Sequence, residues 1–206
     1  MKFYLSSFKL GDRGDLLQQW LRGDGAIAYV SNALDSWSEE QKKKDYIRSD
    51  MNALREAGLN LKDLDLKAYF EKPEALRNKL LELKGLWISG GNVFVLRQSM
   101  KLSGLDRILT EDLKDSDFVY GGYSAAGCVL SPRLDAYAIV DDAKDLPYPK
   151  QREQVWEGLG LIDFVFLPHF ESNHPESADI EREVQYCIEH DLPFKTLRDG
   201  EVLIIE

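Results

Sequence analysis

The chain has 206 residues, 44% hydrophobic and 30% charged, which suits one domain, 1–206, with a sizeable core. A formal net charge of −10 argues against a general nucleic-acid binder, which needs a basic face, and no apolar run approaches the length of a membrane span. No basic-then-apolar leader opens the sequence, and Cys128 and Cys187 are too few for a disulfide scaffold and form no metal motif. The expectations are therefore a cytoplasmic protein with no membrane or nucleic-acid partner and no cofactor or metal; a homodimer is left open.

Lys2–Phe8 reads as a first strand, with Gly11 and Gly14 marking its exit. Leu16, Leu17, Trp20 and Leu21 recur at helical spacing, and Gly23 with Gly25 ends that helix. Ala26–Val30 is a short buried strand. Ser38 and Gln41 form a capping box that opens a helix striped by Ile47, Met51 and Leu54 and stopped by Gly58. Leu64–Phe70 is the predicted third strand, and Pro73 opens a helix to Leu83. Gly85–Gly91 is a strand ending in a Gly-Gly-Asn turn, followed by helices over Val93–Leu102 and Leu105–Leu113.

A strand from Phe118 leads into Ser124. Ala136–Val140 is a further predicted strand, ending at Asp141-Asp142. Tyr148–Glu157 is a loop or short helix, and Leu161–Leu167 a strand ending in Pro168-His169-Phe170. Ile180, Val184, Cys187 and Ile188 stripe a helix after Pro175. Phe194–Leu197 and Val202–Ile205 read as a hairpin around Asp199-Gly200. Apolar strands alternating with helices predict an α/β three-layer sandwich, a mostly parallel sheet with helices on both faces. Such sheets place their sites beyond the strands' carboxyl ends. Gly90-Gly91-Asn92, Ser124, Asp141-Asp142 and His169 all fall there.

Gly122-Tyr-Ser124-Ala-Ala126 is most of a G-x-S-x-G nucleophile elbow, in which a strained strand-to-helix turn lifts a serine from the sheet edge. The competing reading is an ordinary serine at a helix N-cap. A serine nucleophile needs a base. Of three histidines, His169 follows a strand and Pro168, His174 lies in a polar loop, and His190 ends a helix. His169 is the favoured base. A third group should orient the imidazole, and Asp141 or Asp142 fits, against the reading that both are solvated turn acids. The N–H of Ala125 and the Gly90-Gly91-Asn92 turn are candidate oxyanion donors, helped by the elbow helix dipole.

Ile-Ser-Gly-Gly-Asn at 88–92, Gly-Tyr-Ser-Ala at 122–125 with Pro132 downstream, and Leu-Pro-His-Phe at 167–170 together resemble the peptidase E family of serine peptidases. The resemblance implies a class I glutamine amidotransferase-like (flavodoxin-like) fold, with serine at the elbow in place of cysteine. It implies Ser124 as nucleophile, His169 as base, Gly91 and Ala125 as oxyanion donors, and an acid near Asp141-Asp142, taken as Asp142. It also implies small peptides as substrates. Two departures stand out. Ala126 replaces an elbow glycine. The family's aspartyl dipeptidases carry Glu-Thr-Arg after the histidine, its arginine facing the substrate carboxylate; the matching region here is Glu176-Ser-Ala-Asp179, with Arg182 four positions late. Neutral or basic N-terminal residues are therefore expected to be accepted at least as well as aspartate. The alternatives are an α/β-hydrolase esterase, whose chain order Ser124, Asp142 and His169 would match, and a non-catalytic binding protein using the same cleft.

Overall fold

The computed structural model describes residues 1–21 and 25–206. Its main sheet has six strands: β1 (Lys2–Ser6), β2 (Ile27–Val30), β3 (Leu61–Asp63), β4 (Gly85–Ile88), β5 (Val119–Tyr123) and β8 (Val202–Ile205). Their spatial order is β3-β2-β4-β5-β1-β8, all parallel except β8, which runs antiparallel to β1. A separate parallel pair joins β6 (Val165–Leu167) to β7 (Phe194–Thr196). Helices are α1 (Gly14–Trp20), α2 (Glu40–Glu56), α3 (Pro73–Leu81), α4 (Val93–Ser103), α5 (Leu105–Arg107), α6 (Ala125–Cys128) and α7 (Ser177–Glu189). Among the described residues no helix is long and apolar enough to cross a membrane.

Both faces of the main sheet are covered, so its inner strands β2 and β4 are apolar throughout and alternate between two cores. Phe3, Leu5, Ala28, Val30, Leu86 and Ile88 point into the larger core with α3 and α4. Tyr4, Ile27, Tyr29 and Trp87 point into the smaller one, against Leu17 of α1 and Met51 and Leu54 of α2. The predicted sandwich is therefore present, with helices on either side of a mostly parallel sheet.

Several local expectations are corrected. The third strand is Leu61–Asp63, earlier than predicted, and Leu66–Tyr69 is a 3-10 turn. Asp65 accepts from the Lys67 N–H at 3.0 Å and Asn32 Oδ1 from the Leu66 N–H at 3.0 Å, so side chains take the bonds that a ladder would need. α2 begins at Glu40 without the Ser38 cap bond. Of the two glycines expected to end α1, Gly23 lies outside the described residues; the cap is Leu21.

Asp135–Ile139 is a 3-10 turn rather than a strand. It turns Tyr137 inward, where its hydroxyl donates to the Phe166 carbonyl at 2.9 Å and accepts from the Phe166 N–H at 3.1 Å. The open edge of β6 is thus satisfied by a side chain, and no strand pairs there. The expected hairpin is also absent. β7 pairs with β6 and β8 with β1, so Asp199-Gly200 bridges two sheets.

The junction of β5 and α6 is a tight turn. Gly122 has φ +157°, and a Cβ there would lie 2.4 Å from the Ile88 carbonyl oxygen and 2.5 Å from the Ala126 methyl. The Ala126 methyl is tolerated because residue 122 has no side chain. Gly122→Ala is expected to cost about 1–3 kcal/mol, lowering Tm by roughly 2–12 °C in thermal unfolding followed by circular dichroism. An unchanged Tm would mean that the turn relaxes freely.

Candidate active site

Ser124 has φ 52° and ψ −113°, a conformation that non-glycine residues rarely adopt. It is imposed from both sides. The Ser124 N–H donates to the Ser6 carbonyl at 3.2 Å, while its own carbonyl accepts from Gly127 and Cys128 as α6 starts. This is an elbow and not a capped helix start, since Ser124 makes no side-chain cap bond. α6 has only one turn, so the dipole expected from the elbow helix is correspondingly short.

The Gly90-Gly91 turn stands over the serine. A Cβ on Gly90 would lie 3.2 Å from Ser124 Cβ, and one on Gly91, at φ +137°, would lie 2.6 Å from the Ala33 carbonyl oxygen. Among the described residues neither the Gly91 nor the Ala125 N–H donates to a protein acceptor. Asn92 caps α4, accepting from Phe94 and Val95 at 2.8 and 3.1 Å, which fixes the turn.

His169 sits just beyond β6, 2% exposed and at φ 62°. Its Nδ1 meets Asp199 Oδ1 at 2.7 Å. The carboxylate accepts from the Nδ1–H tautomer, leaving the Nε2 lone pair free. The Ser7 hydroxyl, after β1, accepts from the His169 N–H at 2.8 Å and lies 2.9 Å from the same Asp199 oxygen. The acid against the imidazole is thus Asp199, and Asp142 does not meet it. Asp142 is exposed, and its carboxylate accepts from the Lys144 N–H at 2.9 Å. Asp141 accepts from Val93 N–H at 2.7 Å at the start of α4. The strand expected to carry them is a 3-10 turn, so Asp141 turns toward α4 while Asp142 turns back on its own loop. Asp199 escaped notice because an Asp-Gly pair between two apolar runs is also the usual sign of a hairpin turn.

Ser124, His169, Gly91 and Asp142 all line one cleft of about 720 Å³, walled by Phe8, Trp37 and Tyr46. No hydrogen bond joins Ser124 to His169 directly, as is common for catalytic pairs before substrate binds. His174 stacks on His169 with centroids 3.7 Å apart and planes 8° from parallel, and Phe8 packs edge-on against both. His190 lies elsewhere, exposed and stacked on Tyr186. His169, His174 and Glu176 bring ligand atoms within 4.8 Å of one another, the one group among the described residues able to hold a metal. The parallel stack is poor geometry for that, since a metal bonds an imidazole nitrogen within the ring plane.

Burial holds the His169 imidazole below its ordinary value; the Asp199 hydrogen bond opposes this and the His174 charge reinforces it. The ring is therefore neutral at pH 7. Its titration, followed by NMR, is expected to centre below pH 6.5. Asp199→Asn removes the group that raises it and should lower it further. Asp142→Asn should leave it in place; a shift in that variant and none in Asp199→Asn would reverse the assignment of the acid.

The profile of peptidase family S51 matches residues 12–206. An uncharacterized peptidase of Listeria innocua is 29% identical over 127 residues, 61% of this chain and 56% of that protein. A second, from Listeria monocytogenes, is 28% identical over 125 residues, 61% of this chain and 58% of that protein. A probable alpha-aspartyl dipeptidase of Drosophila melanogaster is 28% identical over 162 residues, 75% of this chain and 61% of that protein. The matches thus span less than two thirds of these relatives. Among solved structures, a candidate peptidase E protein from Listeria monocytogenes EGD-e superposes with a TM-score of 0.73 at 21% identity, covering 100% of this chain and 98% of the other. A peptidase from an acI-B1 actinobacterium gives 0.67 at 16% identity, covering 100% and 83%. With the family profile running over nearly its whole length and the peptidase E fold beneath it, this chain belongs to peptidase family S51.

Proposed function

We propose that this protein is a serine peptidase acting on small peptides through an acyl-enzyme. The observation that carries the reading is the strained Ser124 elbow sharing a cleft with a buried imidazole whose Nδ1 is held by Asp199. Ser124 Oγ attacks the scissile carbonyl carbon as His169 Nε2 takes its proton. The oxyanion accepts from the Gly91 and Ala125 N–H groups. The intermediate collapses, the C–N bond breaks, and His169 passes its proton to the leaving amine. Water then attacks the Ser124 ester, giving a proton to His169, which returns it to Ser124 as the acid product leaves. Asp199 holds the ring and steadies its charged form.

The order along the chain is Ser124, His169, Asp199. An α/β-hydrolase places its acid before its histidine, so this order gives the esterase alternative no support. Fluorophosphonate labelling distinguishes the non-catalytic alternative.

An aspartyl preference, suggested by the name of the Drosophila relative, finds no unpaired arginine or lysine among the described residues that line the cleft. Arg182 is 67% exposed and paired with Asp179 at 2.8 Å. The cleft is lined by Glu39, Asp141, Asp142, Asp145 and Glu176, with Lys42 as its lysine or arginine. Lys42 is itself 65% exposed and paired with Glu39. A second acid brought into this lining would meet like charge. Neutral and basic N-terminal residues are the proposed substrates.

Ser124→Ala should keep the fold and abolish both dipeptide hydrolysis and fluorophosphonate labelling. Asp199→Asn should lower kcat by about 10²-fold or more with little change in KM, while Asp142→Asn stays within a few fold. Turnover near the wild-type rate in Ser124→Ala would end this reading. So would an Asp199→Asn variant less damaged than Asp142→Asn.

A further inference from the structure

The acyl chemistry proposed above gives His174 no part, yet its ring covers one face of the His169 imidazole, with centroids 3.7 Å apart and planes 8° from parallel. Phe8 meets both rings edge-on, at centroid distances of 5.9 Å from His169 and 5.5 Å from His174. An imidazole that passes a proton has to keep Nε2 aimed at its target, and one hydrogen bond is a soft restraint. The bond between Nδ1 and Asp199 at 2.7 Å tolerates about 30° of bending. The torsion that turns a histidine ring about its Cβ–Cγ bond has a broad minimum. Asp199 is 23% exposed at its side chain and can follow a rocking ring. A flat partner stops that motion, because tilting either ring out of so close a stack drives their atoms together.

His174 is itself held in place. Its Nδ1 accepts from the Glu176 N–H at 3.3 Å, and its carbonyl accepts from the Ser177 N–H at 3.1 Å, where α7 begins. The Ser177 hydroxyl accepts from the Ser172 N–H at 3.1 Å, and the Ser172 hydroxyl accepts from the Asp199 N–H at 2.8 Å. The acid at one edge of the His169 ring and the flat partner on its face are thus tied to one hydrogen-bonded loop. With Nδ1 as acceptor, His174 carries its proton on Nε2 and is neutral. A neutral aromatic face suits a base that becomes a cation, whereas a second charge stacked on it would oppose protonation.

We propose that His174 is a positioning residue for the base: its neutral ring sets the plane of the His169 imidazole, while Asp199 sets the direction of Nδ1. The inference rests on the reading of His169 as the base that serves Ser124. Three variants separate the ring face from the ring nitrogens. His174→Phe keeps a flat neutral face and loses both nitrogens. His174→Leu keeps bulk without a ring, and His174→Ala removes both. With a dipeptide that the wild-type protein cleaves, His174→Ala should lower kcat by about tenfold or more and leave KM within about twofold, because a misaimed base is a loss of orientation and not of substrate contact. His174→Leu should stay nearly as low, and His174→Phe should recover kcat to within about threefold. A Phe variant as damaged as the Ala variant would show that a nitrogen of His174 is what counts. A Leu variant matching the Phe variant would show that bulk suffices. Either result overturns the proposal, as does an Ala variant with wild-type kcat.

A second readout needs no turnover. In ¹⁵N-labelled protein the Nδ1 proton of His169 is assigned by its change in Asp199→Asn, and its exchange with water is measured by NMR. Exchange should speed up about tenfold in His174→Ala and His174→Leu and stay within about twofold of wild type in His174→Phe, since a rocking ring breaks the Asp199 bond more often. Exchange that is the same in all four proteins overturns the proposal. The two readouts also separate it from the peptidase reading. If no dipeptide turns over and Ser124 takes no fluorophosphonate, that reading fails, and proton exchange alone decides whether His174 holds the ring. If dipeptides are cleaved but neither kcat nor exchange responds to residue 174, the positioning role fails and the peptidase reading stands.

Discussion

One hydroxyl joins the parts of this site. Ser7 lies just past β1, between β5 and the edge strand β8 of the main sheet, and contacts both the His169 N–H and the Asp199 carboxylate. His169 follows β6 and Asp199 follows β7, which form a separate two-stranded sheet. The imidazole is thus referenced to the same sheet that carries Ser124 on β5, next to β1. Without that clip, the base and the nucleophile would belong to two sheets with no shared strand pairing. A site of this kind works only when the supporting shell fixes its geometry to a fraction of an ångström.

The serine side is fixed by packing and buried polar bonds. Tyr123, immediately before Ser124, is buried in the smaller core, and its hydroxyl contacts Asp50 at 3.2 Å. Asp50 is buried too, accepts from the Tyr29 hydroxyl at 2.7 Å and is paired with Lys9 at 3.0 Å. The network satisfies a carboxylate that would otherwise be expensive to bury, and it pins the strand end that feeds the strained turn. The strain at Ser124 persists because Ser6, Gly122, Ala126 and Tyr123 leave the backbone no relaxed path.

The electrostatics of the cleft follow the acidic balance of the chain. A chain of net charge −10 concentrates carboxylates around Ser124, and its nearby arginines are spent on surface pairs: Arg182 with Asp179, and Arg198 with Glu171. Such exposed pairs contribute little to stability. Neither arginine therefore neutralises the acids that line the cleft, where Lys42 pairs with Glu39.

The sequence by itself determined the layered α/β architecture, because strands buried on both faces must be apolar throughout and their alternation with helices leaves little else. It also determined the elbow, since Gly122 and the small residues after Ser124 are the side chains that so tight a turn admits, and it singled out His169 behind Pro168. Only the tertiary structure decided the acid. An expected strand ending at Asp141-Asp142 pointed to that pair, and the family resemblance to Asp142, but Tyr137 folds inward to occupy the edge of β6 and the strand does not form. Asp199 reaches His169 through parallel pairing of β6 with β7, a contact between residues thirty positions apart that local patterning cannot register. The burial of Glu183 was equally hidden. Glu183 sits among other charged residues on α7, where sequence reads a solvated helix face, and only the packing of that helix against the 3-10 turn at 135–139 and β6 buries its carboxyl group. Local sequence fixes what a segment can become. Which distant groups meet depends on how sheets and helices dock, and that is set by the whole core at once.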